Sequence, residues 1–253
     1  MSAGRGTFAY AQARLQARLG MRAAPSDLQR ARATRDLAAL LQQLRTMPQA
    51  RYVARLAPAT PIHELERRLR AEWCVLVDEV AHWQPDAWRP TLRWLRWLPY
   101  LPVLQKFARG GRAPSWTRDD PVVGRIVALE PGTRSGALDA TPLQPLQAAL
   151  AAQGDVTQAW LEHWRHLWPN ASDPGLEAIV RAVKGVDTLL RAAPASASTE
   201  DLSGTLSRRL LTIFRRHPLS PATAVAYLGL EAIDLLVLRG AILARAALAR
   251  AAA

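Results

Sequence analysis

Five times in this chain a residue with a short polar side chain stands directly before a proline: Thr60-Pro61, Asp120-Pro121, Thr141-Pro142, Asp173-Pro174 and Ser220-Pro221. A side-chain oxygen at that place can accept one of the unpaired N–H groups that open a helix. The proline after it has no donor to lose and a φ already suited to the first turn. Thr141 with Gln144, and Asp155 with Gln158, add the spacing of a capping box. These signals predict helix starts at about 61, 121, 142, 156, 174 and 221. Further helices are expected over 8–19, 27–45, 87–98 and 200–216.

Hydrophobic spacing agrees. Between 61 and 82, Ile62, Leu65, Leu69, Trp73, Leu76 and Val80 recur every three or four residues, the stripe of an amphipathic helix. Glu64 before Arg68 and Glu66 before Arg70 have the favourable i,i+4 order and are placed on its wet side. Only Val122–Leu129 has the look of a strand, and one strand makes no sheet. The fold expected is therefore all-α, a single domain over 1–253 built of helical bundles. Loops are expected at 130–140 and 191–200, where small and polar residues replace the periodic pattern. A loose echo between 82–110 and 217–240 (an amphipathic helix, then His, Pro, an apolar run and Arg-Gly) suggests pseudo-repeats. They would fall at about 1–110, 111–175 and 176–253, the middle one divergent.

The most apolar stretch, Ala224–Leu243, is long enough to span a bilayer but carries Glu231, Asp234 and Arg239. Its Val, Leu and Ile residues favour insertion by about 3 to 6 kcal/mol, and three central charges oppose it by about 8 to 10 kcal/mol. No span is expected, and the protein is read as soluble or peripheral. With apolar residues on nearly all sides, the segment reads as a helix buried by neighbours. Glu231 and Asp234 lie about 60° apart on it and Arg239 about 140° from Asp234. The acids are thus expected to pair with arginines of other helices, Arg14 being the candidate for Asp234.

The net charge of +12 comes from 33 basic residues against 21 acidic ones. All the basic residues but Lys106 and Lys184 are Arg, with the excess greatest over residues 1–59. No compact basic run interleaved with aromatics appears, which argues against nucleic-acid binding by such a patch. The single Cys74 excludes a disulfide framework, and with no signal-peptide pattern a cytoplasmic address is expected.

Catalytic and cofactor patterns are sparse. Neither GxxxxGK[ST] nor GxGxxG occurs, so no nucleotide cofactor is expected by those means. His163 and His166 have a spacing a metal could use but lack a third ligand, and no metal site is assigned. Cys74 reads as a core or boundary thiol, and Asp119-Asp120 as a cap before Pro121. Trp160, Trp164 and Trp168 form one ridge, read as a core seam in preference to an exposed docking surface.

The two ends carry a family resemblance. Tyr10, Ala13 and Arg14 in "FAYAQARLQARLG" resemble the opening helix of the C-type subunit of V-type and A-type ATPases, which in eukaryotes is the d-type subunit. "ELERRLRAEW" (64–73) suits the long helix that follows. The closing segment is more similar: a proline-containing turn, Tyr227-Leu228, an acid seven residues after the Tyr in Asp234, then Leu238-Arg239. Asp234 stands where the family usually has Glu, and Val237 where it often has Asn. The chain is shorter than a usual member, and 111–170 does not align. The resemblance implies a funnel of three pseudo-repeated helical bundles, with no active site, metal or cofactor. It would sit on the cytoplasmic face of the inner membrane and couple a central-stalk subunit to the proteolipid ring in ion transport. An unrelated helical adaptor or scaffold that binds a protein partner is the alternative, and a small nucleic-acid binder using the basic ends is a third.

Overall fold

The computed structural model describes residues 5–127, 136–139, 141–170, 172–192 and 199–251, and every regular element among them is helical. Helices α1 (Ala9–Gly20), α2 (Pro25–Ala33), α3 (Leu37–Arg45) and α4 (Ala50–Val53) lead into α5 (Ile62–His82). Short pieces follow: α6 (Arg89–Arg93), a 3-10 segment at Trp94–Tyr100, α7 (Leu101–Ala108), a 3-10 segment at Ser115–Asp119, α8 (Gly124–Val127) and α9 (Gln147–Ala151). Regular helices then return as α10 (Val156–His166), α11 (Pro174–Ala192), α12 (Thr199–Arg216) and α13 (Pro221–Ala251).

Helix α13 organises the fold. Its 31 residues extend about 46 Å, and α1, α2, α3, α5, α11 and α12 all pack against it. Helix α5 forms the second axis, packing against α13, α4, α6 and the 94–100 segment. The stripe expected on α5 is the buried one: Leu65, Leu69, Trp73, Leu76 and Val80 are each at most 1% exposed. Helix α10 closes the structure by packing on α7 and α9.

The expected starts hold at 156, 174 and 221, and α5 begins one residue late. Caps are mixed. Asp155 accepts from Thr157 and Gln158, Asp173 from Leu176, and Asp120 from Val122 and Val123. Thr141 accepts from Leu143. Thr60 and Ser220 do not cap: Thr60 accepts from Ala57, and Ser220 donates back to the His217 carbonyl. The Gln158 amide reaches Glu162 instead of closing a box on Asp155. The continuous helix expected over 27–45 is two helices, because Asp36 caps α3 by accepting from Ala39. Val122–Val127 is a turn and α8, and 128–129 lie outside the described residues. The helix expected over 87–98 is α6 followed by 3-10 geometry. So 82–110 is broken where 217–240 is mostly one helix. Most of 130–140 and of 191–200 also lies outside the described residues.

No helix among the described residues is long and apolar enough to cross a membrane.

Candidate functional site

Helix α13 is buried on several sides, so each of its polar side chains needs a partner from another element. The partners form a ladder. Tyr52, from α4, donates its hydroxyl to Glu231 at 2.8 Å. Arg22, in the turn after α1, grips Asp234 with two bonds, Nε to Oδ2 at 2.8 Å and Nη2 to Oδ1 at 2.6 Å. Arg239 pairs with Glu66 of α5. Arg245 donates to the carbonyls of Arg32 and Thr34, closing the corner between α2 and α3. Beside the ladder, Glu79 of α5 accepts from Arg18 at 2.6 Å and from Arg51 at 3.0 Å.

The pairing expected between Arg14 and Asp234 does not occur. Arg14 is exposed and lies over the rings of Tyr10, 4.9 Å from its centroid, and Trp83. It sits on the solvent side of α1, whereas Arg22 lies beyond the helix end, where the chain turns back toward α13. Glu231 is answered by a phenol and not by an arginine. Burial pushes the Glu231 carboxyl above its ordinary range, against the opposing pull of the Tyr52 and Tyr227 hydroxyls. Burial likewise pushes Asp234 up, offset in part by Arg22. The Tyr52 hydroxyl is raised well above its usual value, first by burial and then by Glu231.

The sequence-expected residues thus divide by end. In α13, Tyr227, Asp234 and Leu238 are buried, and Glu231 and Arg239 are partly so. In α1, Tyr10, Ala13 and Arg14 face solvent, Tyr10 being 56% exposed. The two sets share a helix–helix contact, joined by Arg22.

Glu66 and Arg70 do not lie on a wet face. They bond each other at 2.8 Å, with both side chains 8% exposed. Their spacing with Leu69 and Trp73 places them on the buried stripe. This was visible in the sequence as i, i+3, i+4 and i+7, but charge argued against it. They border an apolar cleft of about 430 Å³ between α5, the 98–106 stretch, Pro114–Trp116 and α13. Trp116 lies 3.3 Å over the Arg70 guanidinium. Arg70 Nε and Nη2 have no hydrogen-bond acceptor among the described residues. The cleft joins residues 66–116 to 232–239, a juxtaposition no local pattern announces.

The remaining candidates lie in or at the edge of the core. Trp160, Trp164 and Trp168 are buried; the first two stack on α10, Trp168 just past its end meets Trp164 edge-on, and Trp164 donates to the Thr91 carbonyl at 3.0 Å. His163 meets the Trp94 ring edge-on at 4.5 Å, and burial followed by the neighbouring His166 lowers its pKa. Among the described residues, no group of three or more His, Cys, Asp or Glu is placed to hold a metal. Cys74 is partly buried, and burial pushes its thiol pKa up, which disfavours the reactive thiolate.

Comparison with known proteins gives no matching family model and no matching curated protein.

Proposed function

We propose that the chain is a non-catalytic coupling subunit of a V/A-type rotary ATPase. It would be peripheral on the cytoplasmic face of the inner membrane and link a central-stalk subunit to the proteolipid ring. One observation supports this reading above the rest. The two sequence ends that resemble the C-type ATPase subunit lie in helices that pack on each other, tied by the buried Arg22–Asp234 pair. A torque-transmitting part needs its ends fixed to one another, and a buried two-bond ion pair resists sliding along the helix axis better than apolar contact alone. The solvent-facing Tyr10, Ala13 and Arg14 would then lie on a surface left free for a partner. The alternative of an adaptor that docks through a tryptophan ridge is less favoured, because Trp160, Trp164 and Trp168 are at most 7% exposed.

The test is isolation of the tagged chain from its own host's membranes, followed by mass spectrometry. Co-purification of a proteolipid or a central-stalk subunit is expected. Membranes that hold an assembled rotary ATPase from which this chain is missing would overturn the reading.

A further inference from the structure

The cleft beside α5 and α13 combines an apolar wall with a cation whose donors are unanswered. Leu69, Trp73, Leu98, Val103 and Leu235 form much of the wall. Its volume of about 430 Å³ lies in the range of small-molecule pockets, roughly 300–1,000 Å³. The charged lining residues are Glu66, Arg70, Lys106 and Arg239. Glu66 is already engaged twice, by Arg70 Nη1 and by Arg239, so the lining keeps an excess of positive charge.

Arg70 is the telling residue. It is held away from water, yet its Nε and Nη2 meet no acceptor among the described residues. Desolvated donors on a cation are costly unless an acceptor arrives, and a carboxylate is the acceptor that best fits a guanidinium edge. The Trp116 ring covers the same guanidinium from the short 3-10 segment Ser115–Asp119. The ring stacks on the guanidinium face, whereas Nε and Nη2 donate in its plane, so a ligand reaches them along that edge beside the ring.

From this geometry we infer that the cleft binds an apolar monocarboxylate of the medium-chain fatty-acid class. Its chain lies along Leu69, Trp73 and Leu235, and its carboxylate sits on the edge of Arg70 beside Trp116. The exposed Leu236, at 64%, stands at the mouth with Arg239. Binding in the cleft is independent of the coupling role proposed above and survives its failure.

The experiment is titration calorimetry of the full chain with sodium decanoate, and with 1-decanol as the uncharged probe of equal length. Saturable one-site binding of decanoate is expected, with decanol at least tenfold weaker. Trp116→Phe reduces the ligand-induced change in tryptophan fluorescence, Trp73 supplying the remainder. Arg70→Met weakens decanoate at least tenfold. Because that change also disturbs Glu66, the exposed-site variant Leu236→Asp is the companion: it weakens decanoate severalfold and leaves decanol unchanged. The inference is overturned if wild-type protein shows no saturable decanoate binding. It is equally overturned if decanol binds as tightly, or if Leu236→Asp leaves decanoate affinity unaltered. Concentration-dependent dimers that Leu236→Asp dissolves would assign the cleft to a second copy of the chain and also overturn it.

Discussion

The stretch from Trp83 to Trp168 and the pair α5 and α13 face the same problem, a polar backbone and polar side chains taken out of water, with different materials. Eight of the nine Trp and ten of the eighteen Pro lie between 83 and 169. The prolines keep helices there short, and short helices leave many N–H and C=O groups without an intrahelical partner. Side chains answer them. Trp164 donates to the Thr91 carbonyl and the Thr91 hydroxyl to that of Leu167, while Trp94 adds a bond to the Trp160 carbonyl within α10. Gln105 spans a loop, donating to the Gly154 carbonyl and accepting from Val156. In α5 and α13 the backbone is satisfied within long helices, and what needs answering is charge. There the links are Arg22–Asp234, Arg70–Glu66 and Arg239–Glu66. A broken region is thus sewn largely by side chain to backbone and a regular one largely by side chain to side chain, with exceptions in Arg245, which reaches the Arg32 and Thr34 carbonyls, and Tyr100, which donates to Asp120.

The largest effects are expected where each kind of link is cut. Trp164→Ala opens a cavity in the 83–168 region and orphans the Thr91 carbonyl, at a cost of about 3–5 kcal/mol. Trp164→Phe isolates the lost hydrogen bond at about 1–2 kcal/mol. Asp234→Ala leaves the largely buried Arg22 without its partner, at a cost of up to about 3–5 kcal/mol. The double variant Asp234→Leu with Arg22→Met should recover much of that loss, since an apolar pair carries no desolvation cost. Urea denaturation of all four checks the contrast. If the double variant is no more stable than Asp234→Ala, the pair is not the seam's main link.

How much of this was legible follows from the same contrast. The long helices announced themselves, because α5 repeats an apolar spacing and α11 and α13 start at a proline behind a short polar residue. Residues 83–127 did not, because 3-10 turns, proline and tryptophan obey no single period. The break at Thr34–Asp36 was in fact written in the sequence: Asp36 stands just before Leu37, Leu40, Leu41 and Leu44, all buried. Charge partners were the least legible. The charges on α13 could be identified, but whether Arg14 or Arg22 met Asp234 depended on where the chain turned after Gly20. The cleft was hidden for a related reason, since Arg70 belongs to the buried stripe of its helix while carrying a charge.

A smaller effect probes how closely the regular part is packed. A Cβ built on Gly175 of α11 would come within 2.5 Å of the Ala222 Cβ at the start of α13. Neither group has a rotamer to yield, so Gly175→Ala should cost about 1–3 kcal/mol through a helix shift. By contrast, Gly20→Ala meets nothing within 4 Å and tests the same change in open space. Asp155→Ala, which removes the cap of α10, should cost about 1 kcal/mol. Thermal melts rank the three, and a Gly175→Ala protein as stable as the parent would show that α11 and α13 approach less closely.

The smallest expected effect is a slope with pH, and it separates the two regions by charge alone. Glu231 and Asp234 are both held above the ordinary carboxylate range, mainly by burial. Between the ordinary value and the raised native one, the folded chain binds more protons than the unfolded chain. Stability from these groups is therefore fully present below that interval and falls as pH rises through it. Glu64, held down to about 2 chiefly by its hydrogen bonds to Arg67 and Arg68, works in the opposite sense but below the ordinary range, so the two windows do not overlap. Glu231→Gln keeps an acceptor for the Tyr52 hydroxyl and removes one titration. Urea midpoints measured from about pH 4 to about pH 7 should decline less steeply in Glu231→Gln than in the parent, while Trp164→Phe keeps the parental slope. Equal slopes in the parent and Glu231→Gln would mean that Glu231 is charged in the fold at no cost, its burial being fully balanced by partners such as the Tyr52 and Tyr227 hydroxyls.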